Sequence, residues 1–183
     1  MSSLATHSPF SIEALAPISD KLVLQDLQFE INHLNAKYAQ TLNDNNFDQW
    51  PNFFIENARY KIQARENYVR GLPLCLVDLE SQGMMKDRIY GVTQTIFHAP
   101  YYTRHLVGQV LILGTQSTSD HATLIVTSSN YSVFRTKPGQ TSEVFNVGQY
   151  VDHWTRTHEG LKLASRHCIY DSEMVLNSLI YPI

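Results

Sequence analysis

The sequence predicts an α+β fold in which a strongly curved antiparallel sheet wraps its concave face around helices. Three observations predict it. Apolar residues recur at helical spacing only in the first half, at 22–43, around Trp50 and at 76–95. One cleanly alternating segment, 58–65, stands between those helices. The second half reads as long strands broken by short turns.

Ser19 and Asp20 supply an N-cap, and Leu24, Leu27, Ile31, Leu34, Tyr38 and Leu42 then repeat at intervals of three and four. That stripe is one face of a long helix over 22–43. The run Asn43-Asp44-Asn45-Asn46 ends it, because such side chains bond their own backbone and tolerate turn geometry. Pro51 forbids a long helix interior but suits a short one, so Phe47–Phe54 is expected to form a brief helix with Trp50, Phe53 and Phe54 turned inward.

Over 58–65, Ala58, Tyr60, Ile62 and Ala64 share one face of a strand, and Arg59, Lys61, Gln63 and Arg65 share the other, a wet or interfacial face. Gly71-Leu72-Pro73 turns the chain. Leu76, Leu79, Met84, Ile89 and Val92 then fit a helix over 76–95, weakened by Gly83 and Gly91. Strands are expected at 105–114, 121–135, 143–154 and 161–171. The apolar alternation within 121–135 changes phase, which predicts a β-bulge near Ser128-Ser129. Lys137-Pro138-Gly139-Gln140 is the turn between two long strands. No repeat or second domain is visible. Residues 21–183 read as one domain, and the Ser/Ala/Pro-rich 1–20 as an extension that is mobile unless a partner orders it.

Composition narrows function. The 183 residues are 43% hydrophobic and 17% charged, enough apolar material for a packed core. The net charge is −3 and there is no basic run, so the phosphate-neutralising stripe of a nucleic-acid binder is missing. Cys75 and Cys168 are too few for a secreted disulfide scaffold, which points to a reducing cytoplasm. There is no secretory leader pattern and no apolar stretch long enough for a bilayer.

Motifs for chemistry are mostly absent. No two glycines stand two apart, so the dinucleotide fingerprint is missing, as are a P-loop and a Gly-x-Ser-x-Gly elbow. A Rieske cluster needs Cys-x-His and Cys-x-x-His, but Cys75 is followed at those offsets by Val77 and Asp78, and Cys168 by Tyr170 and Asp171. His98, His105 and the group Asp152, His153, His158 and Glu159 invite a metal reading. His153 and His158, however, flank a turn expected at Thr155–Gly160, where histidines are usually only solvated. Asp87, Arg88, His98, Arg104, His105 and Asp171 are candidates for acid–base work in a cone-shaped pocket. The competing reading, which we prefer, has Asp87, Arg88, Arg104 and Arg166 in ion pairs or bonded to backbone carbonyls across subunits.

Arg65-Glu66-Asn67, Glu80-Ser81, Asp87-Arg88 and Arg104-His105-Leu106-Val107 occur in an order that resembles the β subunits of aromatic-ring-hydroxylating dioxygenases. The likeness covers about residues 24–183. Within that family Leu72–Leu76, Asp87–Val92, Phe145–Gly148 and Cys168–Met174 with Ile180–Ile183 look most like small subunits of salicylate 5-hydroxylases, and less like those of terephthalate and anthranilate dioxygenases. The resemblance implies a nuclear-transport-factor-2-like cone. It implies an α3β3 hexamer in which the large subunit holds the Rieske [2Fe-2S] cluster and a mononuclear Fe(II). Electrons would come from NAD(P)H through a reductase and a ferredoxin, and salicylate would become gentisate. This chain would then bear no cofactor, metal or catalytic residue. Trp50, Arg65, Glu66, Asp87, Arg88, Arg104, His105 and Arg166 would serve structure or interfaces. Two other functions are weighed: a stand-alone dehydratase or isomerase using a His/Asp pair in the same cone, and a small-ligand binding module. The apolar tail Leu179–Ile183 is expected to be buried, against a neighbour or its own sheet.

Overall fold

A computed structural model describes residues 15–95, 98–118, 122–172 and 179–183. Helix α1 runs Lys21–Asn43. Asp20 Oδ1 caps it by accepting from Leu22 N at 2.8 Å and Val23 N at 3.3 Å. The helix stops at the predicted Asn/Asp run, where Asn45 adopts a positive φ of 57°. A 3-10 helix, Phe47–Phe53, follows and buries Phe47, Trp50 and Pro51. Phe53 is only half buried, and Phe54 already begins strand β1.

Strand β1 spans Phe54–Ala64, and Ala58, Tyr60 and Ile62 are buried as their alternation predicts. The opposite face is not uniformly wet. Gln63 is buried and donates to Leu72 O at 2.6 Å, which pins the following loop. Arg65–Val69 is a short helix, α2, and Gly71 turns the chain with φ +66°. The expected helix 76–95 divides. Val77–Leu79 is strand β2, antiparallel to β1, and α3 occupies only Gln82–Tyr90, extended by one π turn over Gly91–Thr95. Ser81 Oγ caps α3 by accepting from Met84 N at 3.2 Å.

The remaining strands are β3 Tyr102–Val107, β4 Leu111–Ser117, β5 Thr123–Thr136, β6 Glu143–Thr157 and β7 Gly160–Tyr170. The main order is β2-β1-β7-β6-β5-β3, with β4 also on β5. Every pairing is antiparallel except β1 with β7. The segment expected as one strand at 105–114 is therefore two. Polar side chains of α1 take up the backbone of Val110 at the break: Asn32 Oδ1 accepts its N–H at 3.0 Å, and Gln28 Nε2 donates to its carbonyl at 2.9 Å.

The bulge predicted at Ser128-Ser129 is absent, for β5 pairs with β6 without interruption through both residues. The phase change has another cause. Strand β5 hands over there from β4, last paired at Ser128, to β3, first paired at Tyr131, and Thr127, Ser128 and Ser129 are all buried. Extra residues fall at other points of the ladders: on β4, where the β4–β5 register shifts at Ile112/Gly114 opposite Thr127 and Val126, and where the β5–β6 register shifts at Val133/Phe134 and the β6–β7 register at His153/Trp154. Such bulges sharpen twist and help a sheet close around α1. The turn at Lys137–Gln140 is as predicted, with Gln140 N donating to Lys137 O at 3.0 Å. Before α1, Ala16 and Thr115 exchange two backbone hydrogen bonds of 2.8 Å, and Ile18 packs against the core.

Candidate functional site

Inside the cone lies a fully buried ion pair. Arg166 on β7 donates from Nε to Asp152 Oδ1 at 2.9 Å and from Nη2 to Asp152 Oδ2 at 2.8 Å. Asp152 projects from the neighbouring strand β6, and Asn35 on α1 completes the set by accepting from Nη2 at 2.6 Å. The guanidinium lies 4.1 Å from the ring centre of Tyr38 and 4.3 Å from that of Tyr150. Burial works against the Arg166 charge, but Asp152 outweighs it and holds the pKa well above the ordinary value. Paired and flanked in this way, Arg166 keeps its charge. Through Asn35 the pair ties α1 to the sheet.

Next to the pair the last residues of the sequence enter the cone. Ile183 is 1% exposed, and its main-chain oxygen accepts from Tyr60 Oη at 2.9 Å, Tyr38 Oη at 3.0 Å and Cys168 Sγ at 3.6 Å. Trp50 Nε1 donates to Tyr38 Oη at 2.8 Å, so Trp50 acts both as a core anchor and as the group that orients Tyr38. Arg88 Nη2 donates to the carbonyls of Leu179 at 3.0 Å and Ile180 at 3.1 Å. The ring of Tyr181 stacks on Phe47 with centres 4.6 Å apart, and lies 4.6 Å from Tyr101 and 5.2 Å from His98. The tail is therefore buried against its own chain.

The other sequence candidates scatter. His105 is buried; Asn43 Oδ1 accepts both its backbone N–H and its Nδ1, each at 2.8 Å. Burial lowers its pKa to about 4, helped by the Arg166 and Arg104 charges and opposed by the Pro182 carbonyl, so the ring is neutral at pH 7. Arg65 pairs with Asp171 at 2.7 Å on the surface beside Glu66. Asp87 and Arg104 are exposed, and among the described residues no ion pair joins Asp87, Arg88 and Arg104. The sequence reading expects ion pairs or bonds to backbone carbonyls across subunits; Arg166 makes an ion pair, and Arg88 bonds backbone carbonyls of its own chain. On helix α3, neighbouring positions point about 100° apart, and Arg88 reaches the tail instead. His153 lies in β6, as the strand expected at 143–154 has it, with Nδ1 2.9 Å from Ser165 Oγ; β6 runs on to Thr157, so His158 is exposed within the turn rather than beside it.

Sequence reasoning named Arg166 but missed its partner, and missed Asn35 altogether. Counting back from the β6–β7 turn would set Asp152 opposite Ser165. The bulge between His153 and Trp154 moves it opposite Arg166.

Among the described residues no group of three or more His, Cys, Asp or Glu side chains converges as a metal site. Nor does the chain fit a Rieske cluster, since the buried Cys168 thiol donates to Ile183 O and no Cys-x-His unit exists. Among the described residues no helix is long and apolar enough to cross a membrane.

Comparison with known proteins places this architecture. The family model described as the ring hydroxylating beta subunit matches residues 37–177. The chain belongs to that family. The anthranilate 1,2-dioxygenase small subunit of Burkholderia cepacia is 31% identical over 155 residues, covering 85% of this chain and 93% of the relative. A terephthalate 1,2-dioxygenase terminal oxygenase β subunit of Comamonas sp. is 29% identical over 156 residues, covering 85% and 98%. Among solved structures, a β subunit assigned to an aromatic-ring-hydroxylating dioxygenase of Novosphingobium aromaticivorans matches with a TM-score of 0.76 and 32% identity, covering 88% of this chain and 99% of that one. Naphthalene 1,2-dioxygenase shares the fold, with a TM-score of 0.72 at 17% identity over 97% of this chain and 94% of that one. The cone of the ring-hydroxylating β subunit is thus the fold of this chain.

Proposed function

We propose that this chain is the structural β subunit of a multicomponent Rieske non-haem iron oxygenase that hydroxylates an aromatic carboxylate, with salicylate converted to gentisate. The family match over 37–177 carries the reading. Support for an aromatic carboxylate comes from relatives named for anthranilate and terephthalate, and salicylate rests on the motif likeness at Leu72–Leu76 and Asp87–Val92. The non-catalytic role is supported by an interior in which Arg166 makes a two-bond pair with Asp152 and the neutral His105 is bonded to Asn43. Residues 21–183 act as one domain and 1–20 as its extension.

In this reading a large subunit carries the Rieske cluster and the Fe(II), the assembly is an α3β3 hexamer in the cytoplasm, and a reductase and ferredoxin deliver electrons from NAD(P)H. Trp50, Arg88, His105 and Arg166 hold the subunit's own shape. Arg65, Glu66, Asp87 and Arg104 are exposed and available to neighbouring subunits. Beside Arg65 the loop also exposes Val69, Leu72, Leu74 and Leu76, apolar surface of the kind that subunit contacts cover. Turnover of the reconstituted complex on salicylate, anthranilate and terephthalate, with products separated by chromatography, tests the substrate. Gentisate from salicylate is expected. Preference for either other acid would replace salicylate as the substrate.

A further inference from the structure

We infer that residues 15–18 are an edge guard: docked on β4, they keep the chain from pairing there, strand to strand, with a second copy of itself. This inference concerns the chain alone and is independent of the assembly proposed above.

Strand β4, Leu111–Ser117, pairs on one side with β5. Among the described residues its other side pairs only with Ala16. A bare strand edge is a template for another strand, and sheets blunt it with charge, proline, short length or a cover. Leu111–Ser117 carries no charged residue and no proline, and Leu111 is 62% exposed. The bulge at Ile112/Gly114 distorts only its first half. Other edges of the sheet are protected by other means: β2 is three residues long, and Asn43 covers the His105 N–H on β3. For β4 the cover is the segment before α1.

The fit of that segment carries the inference. Ala16 and Thr115 face each other as an antiparallel pair, each N–H donating to the other's carbonyl at 2.8 Å. Thr115 Oγ1 adds a bond to Ala16 O at 3.3 Å. Gly114 makes the approach possible. Its φ is +151°, and a Cβ there would lie 2.8 Å from Ala16 O and 3.0 Å from Leu15 Cβ. Ile18 packs against the core and Asp20 caps α1, so the segment is anchored where it joins the helix. A second copy offers the same edge. Two β4 strands meeting antiparallel about a twofold axis at Thr115 would exchange, between the two Thr115 residues, the same two hydrogen bonds that Ala16 now makes. Guard and second copy therefore compete for one set of backbone groups. With the guard docked about 90% of the time, pairing through this edge is weakened about tenfold for each chain.

The test compares the full chain, its Ala16→Pro variant and a chain beginning at Ser19. Sedimentation velocity over a concentration series and hydrogen exchange at Thr115 supply the readouts. The shortened chain should self-associate at least about tenfold more tightly than the full chain. Its Thr115 amide should exchange fast when dilute and become protected as concentration rises, whereas protection in the full chain should not depend on concentration. Ala16→Pro removes the N–H that Thr115 O accepts and leaves residues 1–14 in place, so it should move both readouts the same way. Adding Thr115→Lys sets like charges opposite each other in the twofold pairing and should reverse the gain. Should the shortened chain not fold, Ala16→Pro with and without Thr115→Lys carries the test. The inference is overturned if neither variant associates more tightly than the full chain, if they only melt lower, or if Thr115→Lys leaves the gain intact.

Discussion

Replacing Asp152 with Asn keeps the volume at the centre of the cone and removes one charge. Both members of the pair are sealed from solvent, with side-chain exposures of 0% for Arg166 and 1% for Asp152. Arg166 stays protonated, so the variant leaves a buried cation without a counter-ion. Breaking a buried pair from one side costs about 3–5 kcal/mol. The contacts with Asn35 and the rings of Tyr38 and Tyr150 survive, and a desolvated cation–π contact contributes about 2 kcal/mol. The loss should therefore fall near 3 kcal/mol, roughly the lower end of that range, out of a total of about 5–15 kcal/mol for a domain. For a chain of this size that corresponds to a fall in Tm of about 6–12 °C. Urea denaturation of the single variants and of the double variant Asp152→Leu/Arg166→Met provides the assay. The double variant removes both charges and keeps apolar bulk between the tyrosines, so it should lie within about 1–2 kcal/mol of the unaltered chain. An unchanged Asp152→Asn, or a double variant as unstable as the sum of the two singles, would show that the pair does not carry this energy.

Two further predictions follow from the same core. Trp50 is fully buried, packs edge-on to Phe54 and Tyr60, and orients Tyr38, so Trp50→Ala should cost about 3–5 kcal/mol by chemical denaturation; a melting temperature that barely moves would contradict its anchoring role. His105, held neutral down to about pH 4, binds its proton more readily in the unfolded chain, so its contribution is complete above about pH 6.5 and is lost as pH falls toward 4, by about 2–4 kcal/mol. His105→Gln should flatten the dependence of Tm on pH between about 6.5 and 4, and an unchanged slope would assign acid sensitivity to other groups.

What the sequence made legible was local. The stripe from Leu27 to Leu42 needs only helical periodicity, and Asp20 and Asn45 punctuate it by their own side-chain chemistry. The alternation of Ala58, Tyr60 and Ile62 likewise needs only the pleat. The failures are non-local. The break between β3 and β4 depends on Asn32 and Gln28 reaching Val110 from a distant stretch of the chain, on helix α1. The phase change in β5 reflects a change of neighbour, which a local window misreads as a bulge. Strand β2 hid within an apolar run that also fits a helix, although Ser81 marked the true helix start. At the site, Arg166 was recognisable as a residue needing a partner. Its partners Asp152 and Asn35 were not, because a bulge sets one register and tertiary packing supplies the other.

The scaffold role, in which this chain makes an iron-bearing subunit active, is best tested by native mass spectrometry. The chain is co-expressed with its large oxygenase subunit, and metal content and turnover are measured on each separated species. The expected result is an α3β3 complex that hydroxylates salicylate, only trace iron in the isolated chain, and a large subunit that is poorly soluble or inactive alone. Full hydroxylation by the large subunit and its electron donors without this chain, or stoichiometric iron bound by this chain alone, would contradict the scaffold role.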